Sequence, residues 1–214
     1  MPLIVDYGMG NIRSVAKSFE AVGEKVSVSS SAEDVRKCDS LVLPGVGAFG
    51  DAMVNLDRLG LTKPLIEAIT VQKKPFLGIC LGMQLLAELS FEHGEHRGLG
   101  LVKGSVRRLP NLPDVRVPHV GWNDIQIRSP GSRLFQGLGP SAAFYFVHSY
   151  HLGEPPESIV AATCTHGSEF VAAVVTNNIF AVQFHPEKSQ KAGQLLLRNF
   201  SVWSKELKDS LSVC

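Results

Sequence analysis

The sequence predicts an α/β fold, an open and mostly parallel or mixed central sheet flanked by helices. Three observations carry that prediction. From the N-terminus onward, short apolar runs alternate with segments of helical spacing, and strand, helix, strand in that rhythm implies crossovers within one sheet. The apolar run Phe76 to Ile79 passes through a glycine-punctuated turn into a helical stripe. Finally, strand patterns at Ser158 to Thr163, Glu169 to Val175 and Ile179 to Phe184 feed a last amphipathic helix.

Composition narrows the function classes. The 214 residues suit one large domain with a substantial core. A formal net charge of +1 gives no reason to expect nucleic acid or a membrane surface as partner. There is no apolar run of transmembrane length, and the chain opens directly on a strand pattern, so no targeting peptide is expected. The four cysteines, Cys38, Cys80, Cys164 and Cys214, lack paired or CxxC spacing and are expected to be free thiols in a reducing, cytoplasmic compartment. Neither metal nor cofactor is expected, because no Cys/His spacing matches a zinc site. The expected organisation is a single domain, 1–204, with a frayed tail at 205–214.

Taken in order, Pro2 to Asp6 is a strand and Tyr7 to Asn11 a glycine-punctuated turn. Asn11 can cap a helix from Ile12 to Val22, whose stripe includes Val15 and Phe19. Gly8-Met9-Gly10 lacks the lysine and hydroxyl of a phosphate loop. Glu24 to Ser29 and Ser40 to Leu43 are the next strands. The loop Pro44-Gly45-Val46-Gly47 follows at a C-terminal strand edge, where ligands bind in open α/β sheets. Helices around Asp51–Leu59 and Lys63–Gln72 return the chain to the sheet. From His93 to about Arg133 the pattern loosens into short alternating runs such as Val106 to Leu109 and Asp124 to Arg128, which suggest antiparallel decoration of the sheet. Ala142 to Val147 is a further strand, ending in the polar cluster His148-Ser149-Tyr150-His151. Asn177-Asn178 fits a tight hairpin turn. A helix from about Ser189 to Ser204 closes the domain.

The chemistry gathers at two points. Gly78-Ile-Cys80-Leu-Gly82 is a G-x-S-x-G elbow with sulfur in place of oxygen; the sharp turn tolerates only glycine at its flanks and lifts the nucleophile above the sheet. A helix predicted over Leu81 to Ser90 would aim its N-terminus at the sulfur and favour the thiolate. A small buried core cysteine is the alternative. The candidate base is His185. In an extended segment His185 and Glu187 face the same side, so the carboxylate can orient the imidazole and support its protonated form. By itself a His-x-Glu at a strand end is unremarkable; paired with the elbow it completes a nucleophile, base and orienter. The other histidines lack that context, although His148 and His151 can line the cleft. Backbone N–H groups of the Val46 loop and of Leu81 could form an oxyanion hole. Trp122, in Pro118-His-Val-Gly-Trp122-Asn123, reads alone as local packing.

Together, Pro44-Gly-Val-Gly, Gly78-Ile-Cys80-Leu-Gly-Met-Gln84 and Val182-Gln-Phe-His185-Pro-Glu187 resemble the class I (triad-type) glutamine amidotransferases. Within that class, Asp6-Tyr-Gly-Met-Gly-Asn11, Pro118-His-Val-Gly-Trp-Asn123, Phe146-Val-His-Ser-Tyr150 and His185-Pro-Glu-Lys-Ser189 resemble the glutaminase subunits of imidazole glycerol phosphate synthases, from about Leu3 to Trp203. The resemblance implies a flavodoxin-like three-layer sandwich and L-glutamine as substrate. It also implies a Cys80, His185, Glu187 triad and an oxyanion hole at Val46, Gly47 and Leu81. Gly45, Gly82, Gln84, His148, Ser149 and Tyr150 would bind substrate. The implied partner is a separate (βα)₈-barrel cyclase subunit in a heterodimer, with Asn11, Trp122 and Lys188 as interface candidates. The family's glutaminase is nearly silent until its partner binds nucleotide, and the glycine-rich Pro44–Gly47 loop is a candidate switch. Three alternatives stay open: the glutaminase of another class I synthase, a non-catalytic scaffold, and a cysteine hydrolase acting on peptides or γ-glutamyl conjugates.

Overall fold

A computed structural model describes residues 1–128, 133–139 and 141–211. Its elements run in chain order as β1 (Pro2–Val5), α1 (Ile12–Ala21), β2 (Ser27–Ser29), α2 (Ala32–Lys37), β3 (Ser40–Gly45), α3 (Phe49–Arg58), α4 (Thr62–Thr70), β4 (Phe76–Cys80) and α5 (Leu81–Gln84). There follow β5 (Leu89–Ser90), β6 (His96–Arg97), β7 (Ser105–Arg108), β8 (His119–Ile127), β9 (Ser141–His148), β10 (Tyr150–Gly153), β11 (Val160–His166), β12 (Ser168–Thr176), β13 (Ile179–Val182) and α6 (Gln190–Leu211).

Nine strands form one sheet in the order β2-β1-β3-β4-β13-β12-β11-β8-β9. The first five are parallel and the remainder antiparallel, so the mixed sheet expected from the sequence is present. Strands β1, β3, β4 and β13 are buried along their length and are rich in apolar runs, Leu41 to Leu43 and Phe76 to Ile79 among them, whereas β2 at the edge is Ser-Val-Ser and partly exposed. Two cores result. Leu3, Leu43, Phe49 and Leu65 belong to one, under α3 and α4; Ile4, Phe19, Leu77 and Phe200 belong to the other, under α1 and α6. A second, four-stranded sheet, β10-β7-β5-β6, leans on the first core through Val106 and Leu152.

The structure departs from the sequence reading at several elements. The helix expected over Leu81 to Ser90 stops at Gln84. The carbonyls of Leu85, Leu86 and Ala87 accept from Leu99, from Leu101 and Val102, and from Gly100, so the later segment takes the bonds that continued helix would need. Helix α2 was not anticipated, although Ser31 caps it by accepting from Glu33 N at 3.1 Å. The segment around Trp122 lies within β8, whose strand begins at His119, five residues before the run expected from Asp124; Gly121 (φ +134°) accommodates a conformation there that other residues resist. Helix α6 runs past Ser204 to Leu211, into the segment expected to fray; Cys214 lies outside the described residues. The hairpin at Asn177-Asn178 stands, with Asn177 at φ +47° and the Asn178 amide donating to the carbonyls of Ile69 and Lys74.

Candidate active site

The carboxyl ends of the parallel strands converge on Cys80. Strand β4 ends at this residue, which has φ +53° and ψ −109°, a left-handed conformation costly for any side chain but glycine's. Close packing sustains it. A Cβ on Gly82 would sit 1.8 Å from the Leu43 carbonyl oxygen, and one on Gly78 would sit 2.7 Å from the Gly82 oxygen. The glycines at both flanks are therefore sterically required, as the elbow motif predicts. Helix α5 is only one turn, so its dipole is weaker than a longer helix would supply.

His185 and Glu187 lie beside the sulfur, for a different reason from the one the sequence suggested. Strand β13 ends at Val182, and Pro186–Lys188 form a 3₁₀ turn, so the two side chains meet across a turn and not along an extended strand. His185 Nδ1 is 2.7 Å from Glu187 Oε1, and both side chains are almost fully buried. The other ring nitrogen, Nε2, is buried without a hydrogen-bond partner among the described residues. Burial disfavours a charged ring, but the neighbouring Cys80 sulfur and then the Glu187 carboxylate outweigh it and push the His185 pKa up to about 10. His185 itself forms no hydrogen bond to the sulfur in this conformation, so the Cys80 contact acts electrostatically.

A pocket of about 270 Å³ opens over the sulfur. Val46, Gly47 and Leu81 form one side, and Gln84, His148, Ser149 and Tyr150 another. Gly47, which lines the pocket, has φ +114°, a conformation other residues resist. The Gln84 amide nitrogen is directed inward, to Tyr150 O at 2.8 Å and Gln183 Oε1 at 3.0 Å, so only its carbonyl end remains for a ligand. His148 is likewise tied down, by Tyr150 O (2.9 Å) and His119 (3.1 Å), and burial draws its pKa down to about 3. A neutral ring is therefore presented to the pocket at physiological pH. Gly45 and Gly82, expected to contact substrate, instead act as spacers below the wall: a Cβ on Gly45 would lie 2.2 Å from the Tyr7 hydroxyl.

Glu92 also lines the pocket and had no signal in the sequence beyond being an acid in a loose stretch. Its Oε2 accepts from Phe49 N at 2.7 Å at the start of α3, which fixes the carboxylate. It is the acidic group in the wall, suited to an ammonium. His151, anticipated at the cleft, turns Nδ1 to Leu152 O and does not line it.

The three interface candidates sit apart from the pocket. Trp122 is half-exposed and meets the Tyr145 ring edge-on, and Lys188 Nζ lies 5.4 Å from the centroid of the same ring. Asn11 is exposed and serves as the cap of α1, accepting from Ser14 N. Among the described residues no group of three or more acidic, histidine or cysteine side chains could hold a metal ion.

The arrangement can perform covalent acyl transfer: a strained nucleophile, an imidazole with one nitrogen oriented and the other unbonded, and a pocket over the sulfur lined by Val46, Gly47 and Leu81. Comparison with known proteins points the same way. Residues 3–203 match the class-I glutamine amidotransferase family. Imidazole glycerol phosphate synthase subunit HisH of Aquifex aeolicus is 51% identical over 199 residues, covering 92% of this chain and 94% of that one. The subunit of the same name from Thermosynechococcus vestitus is 49% identical, with the same coverage. A solved glutamine amidotransferase superposes with a TM-score of 0.74 at 20% identity, over 95% of this chain and 98% of the other.

Proposed function

The chain belongs to the class I glutamine amidotransferase family, and from that premise we propose that it is the glutaminase subunit of an imidazole glycerol phosphate synthase. It hydrolyses L-glutamine to glutamate and ammonia and delivers the ammonia to a cyclase. That partner is a (βα)₈-barrel subunit, which makes imidazole glycerol phosphate and aminoimidazole carboxamide ribonucleotide in histidine biosynthesis. The observation that carries the reading is the buried His185–Glu187 pair beside Cys80 at the strained elbow, in a chain half identical to subunits of that name.

The Cys80 sulfur, its proton passed to His185, attacks the side-chain amide carbon of glutamine. The tetrahedral oxyanion is held by N–H groups of Val46 or Gly47 and of Leu81. Collapse breaks the carbon–nitrogen bond as His185 protonates the departing nitrogen, leaving a γ-glutamyl thioester and ammonia. His185 then takes a proton from water as it attacks the thioester, and the thiolate departs from glutamate. Glu187 keeps the imidazole in the productive tautomer throughout. Glu92 suits the α-ammonium of the substrate; Gln84, His148, Ser149 and Tyr150 shape the pocket for its head group.

The subunit pairs with the cyclase as a heterodimer through the surface carrying Trp122, Lys188 and Asn11, and rotation of a peptide in the Pro44–Gly47 loop couples partner binding to the oxyanion hole. Loop geometry unchanged between resting and active complexes would count against that switch. The free thiols Cys38, Cys80 and Cys164 suit a cytoplasmic location.

The test is ammonia release from glutamine by the chain alone, with a barrel cyclase subunit, and with cyclase plus nucleotide substrate. Activity rising steeply only in the full mixture, and abolished by Cys80→Ala, is the expected result. Strong activity that ignores the cyclase would sink the partner, and silence in every mixture would leave a scaffold.

A further inference from the structure

We propose that Gln183 is a further residue of the nucleophilic centre: its side-chain N–H holds the Cys80 sulfur, in a sense imposed from across the site by the main-chain carbonyl of Tyr150. The inference rests on the glutaminase reading for the reaction it serves, but the contact itself stands independently of it.

Gln183 is wholly buried, just past the end of β13 and two residues before His185. A buried amide needs partners for both its ends. Its Nε2 lies 3.6 Å from Cys80 Sγ, and its Oε1 lies 3.0 Å from Gln84 Nε2. The two ends of an amide have nearly the same shape, so its neighbours must exclude the opposite orientation, with the carbonyl against the sulfur. The Tyr150 carbonyl does so, because it can only accept. Gln84 turns its NH₂ toward that carbonyl at 2.8 Å and directs the second hydrogen to Gln183 Oε1. The NH₂ of Gln183 is then left facing the sulfur.

A second donor pins the same carbonyl. His148 Nδ1 lies 2.9 Å from Tyr150 O and must carry the proton. Nε2 of the neutral ring therefore accepts from His119 Nδ1 at 3.1 Å, and His119 Nε2 accepts from Asn123 Nδ2 at 3.2 Å. Burial keeps both rings neutral, with pKa values drawn down to about 3 and about 4. Every link from Asn123 on β8 to the Tyr150 carbonyl, and from there to Gln183, has one allowed direction.

The sulfur thus meets groups suited to each of its states. Val147 O, 4.0 Å away, can accept from the thiol, whereas Gln183 donates to the thiolate. A donor to the charged form favours that form and fixes the sulfur's direction for attack.

Two substitutions test this: Gln183→Leu, which removes the donor, and Gln183→Glu, which sets oxygen against the sulfur. Peptide-resolved alkylation of Cys80 by iodoacetamide is followed against pH. Ammonia release with the cyclase subunit and its nucleotide gives kcat and KM. The alkylation midpoint is expected to rise by about half to one pH unit in both variants, and kcat to fall on the order of tenfold, with KM within about twofold. Alkylation profiles that overlay that of the unsubstituted protein, in folded variants, would overturn the proposal. If a variant does not fold, ¹⁵N spectra of the unsubstituted chain decide. The Gln183 side-chain amide must shift as Cys80 titrates and must lose that titration in Cys80→Ala; an amide signal indifferent to Cys80 overturns the proposal. A midpoint shift in a chain that never hydrolyses glutamine would support the contact and sink the glutaminase reading alone.

Discussion

Substitution at Gly82 separates backbone geometry from chemistry, because this residue has no functional atom to lose. A methyl group there would meet the Leu43 carbonyl at 1.8 Å, and carbonyl and elbow are both main chain, with little room to yield. Gly82→Ala should therefore cost about 2–4 kcal/mol of stability and silence glutamine hydrolysis through displacement of the elbow. Denaturant unfolding and ammonia release measure the two effects. Wild-type stability in this variant would show that β3 can move away from β4. Glu187→Gln isolates the orienting carboxylate. The amide can still bond to His185 Nδ1 but carries no charge to support the imidazolium, so kcat should drop by about a hundredfold or more with KM little altered. The same variant should lower the His185 pKa from about 10, visible in the ring's NMR titration; an unmoved titration would assign the upward push to the sulfur alone.

Helix α6 shows at the element scale what local patterning can and cannot reveal. Its apolar stripe, including Leu196, Phe200 and Trp203, is plain in the sequence, but its end is not, because no glycine or proline follows Ser204 to stop it. Leu207 adds to the core, Lys205 pairs with Glu24 and Lys208 with Asp39, tying the last turns to the start of the sheet. Truncation after Ser204 should cost about 1–2 kcal/mol, or roughly 2–8 °C in melting temperature for a domain of this size, because exposed ion pairs contribute little and Leu207 most. A melting temperature unchanged by truncation would mean that the last turns hold nothing. The elbow was legible for a corresponding reason: Gly78, Cys80 and Gly82 are close in sequence, and the contact of Gly78 with the Gly82 carbonyl is local, although the Leu43 carbonyl that also demands glycine at 82 is not. The end of α5 was not, since the N–H groups of Leu99 to Val102 cap it from beyond a loop. Glu92 was invisible too. Nothing local to a lone acid between Phe91 and His93 says that it will anchor the start of α3 and face a pocket. The Asn123–His119–His148 chain depends on β8 pairing with β9, a register that sets His119 opposite His148.

Across the whole molecule, two histidine populations titrate against each other. His148 and His119 are buried neutral, with pKa values near 3 and 4, below the ordinary 6.5 of an unfolded chain. Their contribution to stability is present above pH 6.5 and is lost as pH falls toward those values, because the unfolded chain takes up protons that the fold refuses. His185 runs the other way. Its pKa is raised to about 10, so its contribution is complete below pH 6.5 and is lost as pH rises through 10. The partly buried thiol of Cys38 and the buried one of Cys164 are raised too, but from an ordinary value of 9.0, so the interval from 6.5 to about 8 reports His185 with little interference. Stability should therefore peak near pH 7. Each mismatched group contributes a slope of up to about 1.4 kcal/mol per pH unit, and three histidines act on the acid side, since burial draws His151 down as well, against one on the alkaline side. The acid limb between pH 5 and 6 should thus be at least twice as steep as the alkaline limb between 7 and 8. Denaturant unfolding at half-unit steps from pH 4.5 to 9 resolves both limbs. His185→Gln removes the histidine that titrates on the alkaline side, so it should flatten that limb below pH 8, where the raised thiols add little, and leave the acid limb in place. An alkaline limb that persists in His185→Gln would place the titrating group elsewhere and return His185 to an ordinary pKa.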